Sequence, residues 1–355
     1  MRYIGNKENI LENIYSILQA NEVKGKTFFD FFAGTTNVGR FFKSKEYQVS
    51  SSDILYLSYC LQKAYIENNS EPKFEKLLNS ISKQNTENLF SSPLEIVANY
   101  LNSLEGLEGF IFKNYTPQGT KELPQPRMYF IDENGKKIDA IRLKIEEWKN
   151  EKLISESEYF ILLACLIETI GFYSNIAGVY AAFHKTWDFR ALRPLELRTI
   201  QFVDNNKKNI VYNDDSMNLL DKIDVDILYL DPPYNERQYA PNYHILETIA
   251  KYDEPKLRGV TGMRDYASQK SRFCNPNTAL EDLDKIAKNA KYKFLVLSYN
   301  SEGIMPSEKI IETLKKYGSV ELEQFEYARF KSNNNGLSRT KKTVYEQLYI
   351  LKREA

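Results

Sequence analysis

The sequence predicts an α/β fold in which a doubly wound parallel sheet is interrupted by a long, mainly helical insertion. Three observations predict it. Residues 27–32 form an apolar run too short for a helix, helical spacing follows over 37–47, and 49–53 reads as a second strand, so the three make an opening βαβ unit. A second group of strand-like runs begins at 209 and includes Val225-Asp226-Ile227-Leu228-Tyr229-Leu230, which stops abruptly at Asp231. Between the two groups, residues 71–201 abandon the alternation of strand and helix. The expected domains are 1–70 with 202–355, carrying the sheet, and 71–201 as the insertion. A chain of 355 residues is long enough to bury two such cores.

Taken in order, residues 2–7 open a helix whose apolar positions Ile10, Leu11, Ile14, Ile17 and Leu18 recur at helical spacing. A helix start preceded by Gly5 can hold an anion on its backbone N–H groups, with Lys7 adding charge; a plain docking helix is the structural alternative. Ala33-Gly34 supplies the tight turn after the first strand, because only glycine lets backbone approach a ligand at little steric cost. Asp53, ~20 residues beyond that turn, is placed to accept hydrogen bonds from ribose hydroxyls. Gly34 and Gly39 have the spacing of a phosphate loop, but Arg40-Phe41 follows where Lys and Ser or Thr are needed, and no GxGxxG occurs. An S-adenosylmethionine site needs an acid at the end of each of the first two strands, one for the methionine ammonium and one for the ribose. Asp30 and Asp53 meet that need, although turn acids would look the same.

In the insertion, 94–104 and 156–170 carry helical patterns, and 115–127 is irregular. Asn134-Gly135 has the signature of a two-residue hairpin turn, so 127–131 and 137–141 are expected to pair. Beyond the insertion, 209–212 reads as a strand leading into Asn213-Asp214-Asp215. Further on come a buried strand at 294–299, a helix at 306–316 and alternating strands at 320–327 and 344–351, with a polar loop at 333–342 between the last two. Residues 258–273 mix Arg, Lys, Gly and polar residues without apolar periodicity. Such a loop can wrap phosphates, or be a mobile surface loop.

Asp231-Pro232-Pro233-Tyr234 is the most informative stretch. The prolines donate no backbone N–H and fix φ, so strand pairing stops and the carbonyls and the Asp231 carboxylate are left as acceptors beside a ring. Acceptors next to a flat stacking surface suit a planar base with an exocyclic amine, while the structural alternative is a strand ended by a Pro-Pro turn.

Composition bounds the rest. Lys plus Arg and Asp plus Glu are both 48, so no overall positive field is available and any nucleic-acid surface must be a local patch. Cys60, Cys165 and Cys274 lie far apart without a CxxC pair, which indicates neither a disulfide framework nor a zinc site, and no metal is expected. No apolar run reaches the ~18 residues needed to span a bilayer, and the N-terminus is unlike a signal peptide, so a cytoplasmic protein is expected, with no membrane partner.

Taken together, Arg2-Tyr3-Ile4-Gly5-Asn6-Lys7, Phe29 to Gly34, Asp53, Asn213-Asp214-Asp215 and Asp231 to Tyr234 resemble, in kind and order, the motifs of the Dam-like (D12 class) DNA adenine-N6 methyltransferases. The longer string Asp231 to Tyr239, DPPYNERQY, is similar to a type II restriction-modification subgroup. The resemblance spans most of the chain, more weakly across the middle. It implies a Rossmann-like S-adenosylmethionine-dependent methyltransferase sheet with an inserted, mainly helical target-recognition domain. It further implies a bacterial enzyme that modifies a flipped-out adenine in a short duplex site, such as CATG, and leaves room for a cognate restriction endonuclease acting separately. Implied cofactor residues are Tyr3, Gly5, Lys7, Asp30, Phe32, Gly34, Asp53 and Asp215, with Asp214 an open alternative to Asp215 at the cofactor's adenine. Implied catalytic residues are Asp231 and Pro232, accepting from the target amine, and Tyr234, stacking on the base. Candidate DNA-binding residues are Arg127, Lys185, Arg237, Arg258, Arg264, Lys270 and Arg272, with Lys113, Lys121, Arg190 and Arg193 as further charges in the insertion. An RNA base methyltransferase carrying the same tetrapeptide, and a non-catalytic DNA-binding protein on the same fold, are the alternatives.

Overall fold

The computed structural model describes residues 4–81, 91–328 and 343–353. Tyr3 and the polar loop at 333–342 therefore lie outside the described residues. The chain splits into two compact units: 4–62 with 203–240 and 267–355, and 63–202 with 241–266.

The first unit is built on one seven-stranded sheet: β1 (Thr27–Asp30), β2 (Gln48–Asp53), β3 (Ile210–Asn213), β4 (Asp224–Leu230), β5 (Lys291–Asn300), β6 (Gly318–Ala328) and β7 (Thr343–Arg353). Their order is β3-β2-β1-β4-β5-β7-β6; the first five run parallel and β7 is antiparallel to both its neighbours. This is the Rossmann-like arrangement expected from the opening βαβ unit. Residues 227–230 of β4 are all buried, as a central parallel strand covered on both faces must be. One covering layer comes from the helices Pro276–Asn289 and Ser307–Leu314, whose Leu283, Ile286 and Ile310 join Leu228, Leu295 and Leu297 in a single core. The winding reverses between β1 and β4, and the crevice beyond the carboxyl ends of strands at such a switch point is where open α/β sheets take their ligands.

The second unit is helical: Pro93–Ser103, Phe110–Tyr115, Asp132–Asn150, Glu156–Ile170 and His244–Lys251 are its main helices. Two of these starts carry reciprocal caps, Ser92 with Glu95 and Ser155 with Glu158, each satisfying two otherwise unpaired N–H groups. Residues 241–266, which chain order groups with the sheet, belong to this unit. Buried Arg142 donates to the carbonyls of Ile249 and Ala250 there, and to the Tyr159 hydroxyl.

The hairpin expected around Asn134-Gly135 is absent, because both residues lie in the first turns of the helix Asp132–Asn150. Tertiary contacts override the turn signature. Asn134 donates to the carbonyl of Arg193 and accepts from the Leu195 N–H, which fixes a crossing loop. A Cβ on Gly135 would stand 2.3 Å from Thr116 Cγ2, so the glycine serves close packing rather than a reversal of the chain.

Candidate active site

Asp231 follows the last residue of β4, and Asp30 is the last of β1. Asp30 pairs with Tyr229, which puts the two carboxylates at the carboxyl ends of the two central strands. Pro232 is buried and Tyr234 half-buried. The Tyr234 carbonyl accepts from the Ile304 N–H at 3.0 Å, and its side chain packs against the sheet core. Downstream, Gln238 both donates to the Ser271 carbonyl (3.0 Å) and accepts from the Ser271 N–H (2.8 Å). Asn235 accepts from the Arg237 N–H in a local turn. The loop that leaves β4 is thus pinned at both ends.

Asp30 is 1 % exposed. One oxygen accepts from the Gly39 N–H at 3.2 Å, and Oδ1 has no hydrogen-bond partner among the described residues. Burial, and then the charge on Asp231, push its carboxyl up to about 8. A buried acceptor that is costly to ionise and left unpaired is an acid waiting for a cation. Asp53 holds the turn next to it: its Oδ2 accepts from the Gly34 N–H and its Oδ1 from the Leu55 N–H, both at 2.8 Å. Gly34 takes φ +49°, a backbone conformation that favours glycine. Phe32 is half-buried, with its ring edge-on to Phe273 at 5.3 Å. Asp215 caps the short helix Ser216–Lys222 by accepting from the Met217 N–H, whereas Asp214 is exposed and takes the Asn218 side chain. Gly5 adopts φ +77° with the Tyr239 hydroxyl 3.2 Å from where a Cβ would be, so the N-terminal segment passes tightly against the DPPYNERQY string.

Lys7 is placed differently from the expectation. Its ammonium is 6 % exposed and lies 2.6 Å from Glu346 Oε1 and 3.3 Å from Asp231 Oδ1, so two protein carboxylates take up the charge expected at a ligand carboxylate. Glu346, on β7, is fully buried and also accepts from the Ser298 hydroxyl of β5. Burial pushes the Asp231 carboxyl up to about 7, with Lys7 opposing the rise and Glu346 adding to it. Lys7 is held well above the ordinary lysine range by its two acidic neighbours, which outweigh its burial. The sequence reading missed Glu346 and Ser298. The available signal was an acid inside a strand-like run, Val344 to Leu351, whose remaining residues apart from Gln347 are apolar or aromatic.

The candidate DNA contacts divide sharply. Arg127 is not a surface charge: it is 7 % exposed, and its guanidinium donates to the carbonyls of Val260, Asn114 and Gly259. Arg264 is equally buried and forks onto both oxygens of Asp253. These two expectations are overturned, because the chain folds back on itself and uses arginines as internal braces where spacing alone shows only basic residues. Arg127, together with the Tyr115 hydroxyl on the Gly262 carbonyl, supports a tight turn closed by the Arg258–Met263 bridge, with Gly259 and Gly262 at positive φ. The loop expected at 258–273 is, at this end, a built turn. Arg272 is half-exposed but donates to buried Asp282 at 2.7 Å, and Arg190 is engaged by Asp188. Lys185, Arg237, Arg258 and Lys270 are exposed.

Residues 3–313 match the model of the D12 class N6 adenine-specific DNA methyltransferases. The chain belongs to this family. Among relatives of this D12-class chain, the type II methyltransferase M.FokI of Planomicrobium okeanokoites is 43% identical over 94% of the chain and 50% of its own length. The modification methylase StsI of Streptococcus sanguinis is 38% identical over 100% of the chain and 52% of its own length. The D12-class chain thus spans about half the length of these two. The type II methyltransferase M.NlaIII of Neisseria lactamica is 38% identical over 99% of both chains. No helix among the described residues is long and apolar enough to cross a membrane.

Proposed function

We propose that this chain transfers a methyl group from S-adenosylmethionine to the N6 amine of an adenine flipped out of a short duplex DNA site, as the modification arm of a type II restriction-modification system. One observation carries the reading: the carboxylates of Asp30 and Asp231 end the two central parallel strands side by side, one with an unpartnered buried oxygen, the other following a strand and preceding Pro-Pro-Tyr. The residues fit the cofactor. Asp30, with its unpaired oxygen, would hold the ammonium, Asp53 beside the Gly34 turn would hold the ribose, and Asp215 would hold the adenine. When bound, the cofactor supplies an activated methyl group.

The chain must supply placement and an acceptor field. The lone pair of the adenine amine is delocalised into the ring, and positioning alone can lower the barrier by ~7–11 kcal/mol. Asp231 and the Pro232 carbonyl accept the amine hydrogens, which localises the lone pair and favours the positive charge that develops during attack. The Tyr234 ring offsets part of the few kcal/mol that flipping costs, at about 1–3 kcal/mol per stacked base. The helical unit is the candidate target-recognition domain. Exposed Lys185, Arg237, Arg258 and Lys270 are the charges proposed to meet phosphates.

Family membership favours DNA over RNA, and an intact Asp30, Asp53 and Asp231 favours an active enzyme over a silent binder. Single-molecule sequencing of DNA from cells expressing the chain reports modified base and context together. N6-methyladenine confined to one short motif is expected. Unmodified DNA with methylated RNA, or neither product, overturns the reading.

A further inference from the structure

Lys7, Glu346 and Ser298 come from the N-terminal segment, β7 and β5, and converge beneath Asp231. The geometry is asymmetric. The Lys7 ammonium reaches both carboxylates, at 2.6 Å to Glu346 Oε1 and at a longer 3.3 Å to Asp231 Oδ1. Lys7 therefore bridges both carboxylates, with Glu346 the closer partner and Asp231 held by the longer of the two contacts. Glu346 is itself anchored: it is paired across the sheet with Asn300 and Phe325 and accepts from the Ser298 hydroxyl, so it cannot follow the lysine.

That asymmetry matters to an acceptor. A carboxylate fully paired with an ammonium has much of its acceptor strength spent, while a buried carboxylate with no cation nearby takes up a proton and becomes a donor. We propose that Glu346 is a positioning residue that holds the Lys7 ammonium back from Asp231, leaving Asp231 charged yet incompletely paired, so that it can accept from the target amine. The proposal rests on the adenine methyltransferase reading given above. Around Asp231, the titratable and charged groups on each packed element are Lys7 from the N-terminal segment, Asp30 from β1, Tyr229 from β4 and Glu346 from β7. Only Lys7 and Glu346 differ between the arms of the test.

The experiment is single-turnover methylation of an adenine-containing duplex by the full chain from about pH 5 to pH 9, with cofactor affinity measured by calorimetry and folding by melting temperature. Wild-type turnover must be seen first, and its absence sinks the methyltransferase reading itself. Glu346→Gln is isosteric and leaves a charge-balanced Lys7–Asp231 pair. The ammonium should settle onto Asp231, moving the acid limb of the rate profile to lower pH and cutting the plateau rate about tenfold, the equivalent of one weakened charge-assisted hydrogen bond. Cofactor affinity should stay within about twofold. Lys7→Met should move the acid limb the opposite way, to higher pH. Glu346→Asp retains the charge with a shorter reach and should fall between wild type and Gln; it carries the test with the same sign if Gln fails to fold. A purely structural role predicts a lower melting temperature with an unmoved acid limb. That result, or Gln and Met variants shifting the limb in the same direction, overturns the proposal.

Discussion

Asp30 and Asp231 end neighbouring parallel strands of the sheet, and the charge on Asp231 is second only to burial in raising the Asp30 carboxyl to about 8. The charge on Asp231 and burial together make Asp30 costly to ionise, a cost that a cation at the unpaired Asp30 oxygen would relieve.

The first prediction follows from that cost. Both groups sit above their unfolded values, Asp30 at about 8 and Asp231 at about 7, so the native state holds more protons than the unfolded state between about pH 4 and pH 8. Stability of the ligand-free protein should therefore fall as pH rises through this window. Asp30→Asn removes the cost and should raise the melting temperature at pH 8 by roughly 2–6 °C. The same change should weaken cofactor binding by more than about tenfold, as expected for a lost charge-assisted bond. Melting curves at pH 5 and pH 8, with and without cofactor, check both halves. A variant less stable than wild type at pH 8 contradicts the assignment.

The sheet was legible because each of its parts is a local pattern. Thr27–Asp30 and Asp224–Leu230 are short apolar-rich runs with abrupt ends, Gln48–Asp53 is placed by the helical pattern before it, and an acid stands at or just after each end. What the sequence hid are meetings across long separations: Lys7 with Glu346, 339 residues apart, and Arg127 with Val260, 133 apart. A basic residue in an irregular stretch reads as solvated until the carbonyls that surround it are known. The Asn134-Gly135 signature misled for a related reason. Turn propensity is a small local preference, and the buried contacts of Asn134 with 193 and 195 outweigh it.

The second prediction separates the acids by role. Asp231→Ala removes the proposed acceptor for the amine, so methyl transfer should drop about 10²–10³-fold while cofactor binding persists. Asp53→Ala releases the Gly34 and Leu55 N–H groups and should weaken cofactor binding first. Calorimetry that finds Asp231→Ala as damaging to cofactor affinity as Asp53→Ala rejects this division.

The third prediction sorts the arginines. Arg127→Ala strands three carbonyls and should cost about 2–5 kcal/mol of stability, with little change in the salt dependence of DNA affinity in protein that still folds. Replacing Lys185, Arg258 and Lys270 together should leave the melting temperature nearly unchanged. If all three meet phosphates, the slope of log affinity against log salt should flatten by about 0.9 per contact. An unchanged slope returns these residues to the solvated surface.

The fourth concerns the helix that replaced the hairpin. Gly135→Ala should destabilise the chain by about 1–3 kcal/mol, although alanine is the better helix former, because Thr116 leaves no room for a methyl group. Chemical denaturation reads this directly. A neutral or stabilised variant shows that the contact can relax.

The last prediction tests Tyr234 as the stacking surface for an extruded adenine. Its backbone is fixed by the Ile304 N–H and its ring rests against the sheet core, so the side chain is presented at the mouth of the strand rather than free to swing. Tyr234→Phe keeps the π-face and should retain most activity, whereas Tyr234→Ala should slow single-turnover methylation by about 5–150-fold, the rate equivalent of 1–3 kcal/mol. If stacking offsets the cost of flipping, a mismatch opposite the target adenine should partly rescue Ala, since an unpaired base is cheaper to extrude. Rescue also separates stacking from a packing defect, because a collapsed loop would be equally slow on matched and mismatched duplexes. Equal damage in Phe and Ala, or no rescue by the mismatch, removes Tyr234 from the stacking role and leaves it a core residue.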